Sequence, residues 1–123
     1  HLLGYKSGED LQREVGNARF TVLSSEWREN MPYSGLESLA AQTPIIGARI
    51  GGIPELVEEG KTGVTFESGN AVDLSNSMLK CAAVSALNYS AMQHSCREYV
   101  NARCLQNEYA LALVDLYERV IQR

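Results

Sequence analysis

The chain has 123 residues, 45% of them hydrophobic and 21% charged, which is enough for one core and too little for a second complete domain. Eleven Lys and Arg against fifteen Asp and Glu leave a formal net charge of −4, so the positive excess that phosphate-backbone binding needs is missing and nucleic acid is not an expected partner. No run of about eighteen apolar residues is present, and no basic flank precedes an apolar stretch at the start, so neither a membrane span nor a signal peptide is expected and the chain is placed in the cytosol, whole or as a piece of a cytosolic protein.

The opening His1-Leu2-Leu3-Gly4 has no initiator Met and reads as the middle of a fold. All ten Gly and all three Pro lie at or before Gly69, so residues 1–69 should be short punctuated elements and residues 70–123 a helical tail. In chain order, Glu9 to Val15 is helical, with Leu11 and Val15 four apart, and Phe20 to Leu23 is a β-branched and aromatic strand. Ser34 to Ala41 carries Leu36, Leu39 and Ala40 at helical spacing, and Pro44 to Gly47 follows as a second strand. Gly51-Gly52 makes a turn, Pro54 suits a first helical position, Glu55 to Glu59 gives about one and a half turns ended by Gly60, and Gly63 to Phe66 is a third strand. The tail reads as two or three helices, with Asn70/Asp73 and Ser90/Gln93 at N-cap spacing. Tyr109, Leu113, Leu116, Tyr117 and Val120 mark one face of the last helix, read as core against the sheet, with a docking face for another domain as the alternative.

Strands alternating with helices of this length imply parallel pairing by right-handed crossovers, hence an α/β fold as a single, partial domain. Ligands of such sheets sit at the carboxyl ends of the strands, so Glu26 to Gly35 and Ala48 to Ile53 should rim one cleft. The cysteines, Cys81, Cys96 and Cys104, are odd in number, lack metal-site spacing, and read as buried or half-buried apolar residues on helices. His1 and His94 have no partner spacing and are incidental.

Three constellations in the cleft carry candidate chemistry. Glu29 and Glu37 stand eight positions apart, Glu29 on a loop and Glu37 in the first turn of a helix, although Ser34-Gly35-Leu36-Glu37 also fits a capping box in which Glu37 would bond the cap backbone. The helix start at Ser34-Gly35 offers open amides and a positive dipole end to a phosphate. Gly51-Gly52-Ile53-Pro54-Glu55 permits tight backbone next to a ligand, or is simply a strand-to-helix turn; neither a P-loop nor G-x-G-x-x-G is met.

The order Ser24-Ser-Glu-Trp-Arg-Glu-Asn-Met-Pro-Tyr-Ser-Gly-Leu-Glu-Ser-Leu-Ala40, then Thr43-Pro-Ile-Ile46, Gly51-Gly-Ile-Pro-Glu-Leu-Val57 and Gly60-Lys-Thr-Gly63, resembles glycosyltransferase family 4, also called group 1. Its most specific piece is Glu, seven residues, Glu ahead of the Gly-Gly-Ile-Pro-Glu turn. The resemblance implies the later part of the C-terminal, donor-binding Rossmann-like domain of a two-domain GT-B enzyme: a parallel sheet with flanking helices. It further implies a retaining transferase that takes sugar from a nucleotide-diphosphate sugar, with no cofactor and no bound metal. Glu37 would then hold the ribose hydroxyls, and Glu29 would be the catalytic-centre carboxylate on the sugar hydroxyls. Ser34 and Gly35 would lie by the diphosphate, Tyr33 would belong to the same donor and nucleotide site, and Gly51 and Gly52 would lie beside the cleft.

The sequence departs from the family at Ser24, where Pro is common, at Ser38, where Ala is common, and at Gln42, where Gly is usual, which puts a left-handed helix end there in doubt. The family's Arg and Lys that grip the diphosphate lie upstream of the matched segments. The resemblance therefore implies an isolated chain that is inactive, has an upstream part of its domain and an acceptor domain as partners, and is prone to self-association through uncovered surface. It also makes polysaccharide or glycolipid assembly common, in the cytoplasm or at the inner membrane face. Two other classes stay open: a noncatalytic α/β module, for which Glu37→Ala would alter only helix stability, and a glycoside hydrolase using Glu29 and Glu37 as acid and base, one of them desolvated.

Overall fold

The computed structural model describes residues 1–104 and 106–122. Helix α1 (Gly8–Asn17) leads into strand β1 (Thr21–Leu23), helix α2 (Tyr33–Ala40), strand β2 (Ile45–Ala48), a short 3-10 helix (Ile53–Leu56) and strand β3 (Gly63–Phe66). Three helices follow: α3 (Ala71–Ala82), α4 (Ala86–Arg103) and α5 (Gln106–Ile121). The sheet is parallel throughout, in the order β1-β2-β3, with Val22 beside Ile46 and Ile46 beside Val64.

All four residues of β2 are buried. Successive side chains of a strand point to opposite faces, so burial of the whole run means that both faces of the sheet centre are covered, as parallel sheets require. Leu39 of α2, Ile45, Ile53, Leu56, Phe66 and Cys96 of α4 make one core, with α2 packed against α4 and α3 against β3. Buried hydroxyls stitch the layers: Ser38 of α2 bonds the Thr21 hydroxyl and the Thr43 carbonyl, both at 2.7 Å, and Thr43 donates to the Val15 carbonyl at 2.8 Å. The Ser that replaces a common Ala thus ties α2 to β1 and to the approach to β2.

Several expected boundaries move for local reasons. The second strand starts at Ile45 because Pro44 has no N–H to give the ladder, though its carbonyl accepts from Thr21 at 3.0 Å. The expected helix Glu55 to Glu59 is instead the 3-10 helix, which stops where the Thr62 hydroxyl takes the Glu58 amide at 2.7 Å and donates to the Leu56 carbonyl at 3.0 Å. Asn70 caps α3 as expected, accepting from Val72 and Asp73. The Ser90 cap is not formed: α4 begins at Ala86, capped by Ser85, which accepts from the Asn88 amide, and Ser90 lies inside the helix.

Gln42 adopts φ +59 and closes a left-handed end on α2, with its amide on Leu39 O at 3.0 Å and the Thr43 amide on Ser38 O at 2.9 Å. The sequence doubt about this end is removed; Gln simply takes the conformation Gly usually supplies. Most of the face of α5 is not core: Tyr109, Leu116, Tyr117 and Val120 are exposed, and Leu113 is half-buried. Cys81 and Cys96 are buried as expected, and burial pushes the Cys96 thiol up to about 12, whereas Cys104 is exposed.

Candidate functional site

The loops after β1, β2 and β3 leave the same end of the sheet, because parallel strands share their direction. The first of these loops runs from Ser24 to Pro32 and carries Glu29. Pro32 has extended backbone (φ −67, ψ 123) and is the residue on which α2 closes: the amides of Gly35 and Leu36 both turn back to its carbonyl, at 3.0 and 3.4 Å. The helix therefore starts at Tyr33, two residues before the position a capping box requires. Ser34 is not the cap, no side chain caps this end, and Glu37 is released from the capping role that the local sequence allowed.

What this leaves at the rim is specific. Glu37 is exposed on α2 and lines a groove between α1 and α2, of about 380 Å³, together with Gln12, Gly16, Ala40 and Ala41. Tyr33 and Ser34 are exposed at the first turn, where helix amides have no intrahelical acceptor and the dipole is positive. Gly35 faces inward instead: a Cβ on it would meet Leu56 Cδ1 at 2.5 Å and Leu23 Cδ1 at 3.1 Å, so glycine here lets α2 press onto the core, and its amide is engaged by Pro32. Glu37 is exposed and Glu29 half-buried.

The glycine pair after β2 supports the first loop. Gly51 has φ +54, and a Cβ on it would stand 2.4 Å from Glu29 O; at Gly52 it would stand 1.4 Å from Asn30 O. The Gly52 amide donates to the Glu29 carbonyl at 2.7 Å. Sequence reasoning placed both glycines at the cleft; their contact with the Glu29 loop backbone is something no local pattern reveals, because the partner is about twenty residues away in sequence.

A second feature of the rim had no sequence signal. Arg49, the first residue after β2, reaches Asp73 Oδ2 of α3 at 3.2 Å, and Asp73 also accepts from the Glu67 amide at 2.7 Å. The Glu67 amide, with Arg49 beside it, holds the Asp73 carboxyl below the usual carboxylate range. This ties the loops after β2 and β3 together by charge. Ser25 completes the set, its hydroxyl donating to Glu29 Oε1. Among the described residues no group of three His, Cys, Asp or Glu side chains is placed to hold a metal ion, and no helix is long and apolar enough to cross a membrane.

Known proteins share this fold. The chain is 33% identical over 73 residues to the sulfoquinovosyl transferase of Arabidopsis thaliana, a match spanning 57% of the chain and 14% of that relative. A glycosyltransferase structure from Rickettsia africae superposes with a TM-score of 0.84 at 19% identity, over 97% of this chain and 32% of that one. The Anabaena protein HepE, solved with UDP-glucose, superposes with a TM-score of 0.77 at 20% identity, over 92% and 31%. The chain thus spans about a third of these solved structures, and at such identities they establish the fold, an α/β arrangement shared with GT-B glycosyltransferases. The family model described as glycosyl transferases group 1 matches residues 1–103, nearly all of the sheet and its flanking helices. The chain belongs to the glycosyl transferases group 1 family.

Proposed function

We propose that this chain is the donor-binding portion of a retaining glycosyltransferase, part of the C-terminal domain of a family 4 enzyme, which moves a sugar from a nucleotide-diphosphate sugar to a glycan, lipid or small-molecule acceptor. The observation that carries the reading is the start of α2, which no side chain caps and which follows the loop carrying Glu29 and leaves Glu37 exposed, in a family of sugar transferases.

Each group has a chemical task. The Glu37 carboxylate accepts two hydrogen bonds, which suits the vicinal hydroxyls of a ribose, and Glu29 does the same for hydroxyls of the donor sugar. Tyr33 and Ser34, at the positive end of α2, lie against the diphosphate, where negative charge gathers as the sugar leaves. Gly35 lets that helix end sit close to the core, while Gly51 and Gly52 fix the Glu29 loop beside the ligand. The donor is the only small molecule required, and no metal is assigned a role. HepE's complex with UDP-glucose, in a chain of the same fold, supports a nucleotide sugar as the donor.

Glu26, Glu29 and Glu37 bring negative charge to the proposed site, and Arg49 is already paired with Asp73. An anionic ligand needs more positive charge than this, so transfer is proposed to require an upstream part of the donor domain and an acceptor domain, with the isolated chain inactive. The cytoplasm, or the inner membrane face when the acceptor is a lipid, is the proposed location.

The test is a residue-resolved NMR titration of the chain, and then of the whole protein, with uridine, guanosine and adenosine diphosphates, using Glu37→Ala as the control. Shifts clustered at Glu29, Tyr33 to Glu37 and Gly51-Gly52, lost in the control, establish the site and its base preference. Silence in the whole protein as well would end the transferase reading.

A further inference from the structure

Loops from all three strands converge on the segment that carries the Glu29 carboxylate. Within the first loop, the Ser25 hydroxyl donates to Glu29 Oε1. From the loop after β3, the half-buried Ser68 hydroxyl donates to the Ser25 carbonyl at 3.3 Å. From the loop after β2, the Gly52 amide holds the Glu29 carbonyl at 2.7 Å. The backbone of Glu29 is therefore fixed by β2, its side chain by Ser25, and Ser25 itself by β3.

This arrangement does more than close a loop. A glutamate side chain with no partner samples several rotamers on each of its torsions, and a sugar hydroxyl must then select one of them. With Oε1 already accepting from Ser25, the carboxylate is anchored at one oxygen and Oε2 keeps its lone pairs for a ligand. We infer that Ser25 is a positioning residue for sugar transfer, holding the Glu29 carboxylate ready for the donor sugar, with Ser68 as the anchor of Ser25. The inference rests on the proposed role of Glu29 and deepens it: the sugar end of the site is pre-organised by a serine that does not itself touch the ligand.

The experiment compares Ser25→Ala, Ser25→Thr, Glu29→Gln and the double variant Ser25→Ala/Glu29→Gln in the whole protein, reading kcat and KM for the sugar donor and the affinity for the nucleoside diphosphate alone. Thermal unfolding of each variant confirms that it is folded. Ser25→Ala is expected to lower kcat by about tenfold to a hundredfold, the scale of a misplaced reacting group. The nucleoside diphosphate, which carries no donor-sugar hydroxyls for the Glu29 carboxylate to accept, should bind within about twofold of the parent, and Ser25→Thr, which keeps the hydroxyl, should restore most of the rate. In the Glu29→Gln background, removal of the Ser25 hydroxyl should have little further effect, since the two act as one unit.

If Glu29→Gln abolishes transfer while Ser25→Ala leaves kcat unchanged, the inference falls and the role of Glu29 stands. If Ser25→Ala weakens nucleoside diphosphate binding as much as it slows transfer, Ser25 is a general support of the loop and the inference again falls. If Glu29→Gln is silent, the assignment of Glu29 is what fails, and the inference goes with it.

Discussion

The amide of Gly52 donates to the carbonyl of Glu29 across 2.7 Å, and the space beside that bond is too small for a side chain. Two loops that are distant in sequence are thereby locked at the ends of adjacent strands. The expected consequence is that Gly52→Ala, whose Cβ would stand 1.4 Å from Asn30 O, forces the Glu29 loop outward. Overpacking of this kind destabilises by about 1–3 kcal/mol. Urea unfolding measures that loss; a variant as stable as the parent would show that the loop shifts freely, and the close approach would then have no mechanical meaning.

Glu37→Ala separates two roles that the sequence alone confounds. Because α2 starts at Tyr33 and no side chain caps it, removing the Glu37 carboxylate deletes no cap bond. Ala and Glu differ by only a few tenths of a kcal/mol in helix propensity, so stability should stay within about 0.5 kcal/mol of the parent. Nucleoside diphosphate binding, by contrast, should be lost. A drop of about 1 kcal/mol or more, the size of a broken cap, would restore the capping-box reading.

How far the sequence foretold this can be followed residue by residue. The three strands, the cap at Asn70 and the placement of Glu29 on a loop were legible because hydrophobic runs and turn residues act over a few positions. The cap of α2 was misplaced by two residues because Ser34 looks like a cap, whereas the decisive fact is that Gly35 and Leu36 both choose the Pro32 carbonyl. The partnerships Gly52–Glu29, Ser68–Ser25 and Arg49–Asp73 join residues more than twenty positions apart and leave no periodic trace. The family resemblance supplied candidate roles for Glu29 and Glu37; the forces that hold them in place came only with the fold.

Gln42 stores removable strain. Its φ of +59 places a Cβ-bearing residue in the left-handed region at the end of α2, where Gly has no steric penalty. Left-handed backbone costs an L-residue roughly 1–2 kcal/mol, and glycine gives part of that back through the greater freedom of its unfolded chain, so Gln42→Gly should stabilise by about 0.5–1 kcal/mol. Thermal unfolding reads this as a rise in Tm. An unchanged or lower Tm would mean that Gln42 makes contacts worth as much as the strain.

Acid should loosen the rim of the site through Asp73. Its carboxyl is held below the usual range by the Glu67 amide first and by Arg49 as well. A folded-state value below the unfolded one means that the native chain binds fewer protons at this group, so the contribution is complete above about pH 4 and fades as pH falls through the folded value. Asp73→Asn keeps an oxygen for the Glu67 amide but drops the charge facing Arg49. The variant should therefore be less stable than the parent at pH 7, and the gap should narrow steadily toward pH 3, because there the parent is losing the same charge. The shift is checked by urea unfolding of both proteins at pH 7, 5, 4 and 3. A gap that is equal at every pH would remove the charge from the account and leave only the hydrogen bond, while a gap that widens in acid would reverse the sign of the linkage and contradict the depressed carboxyl.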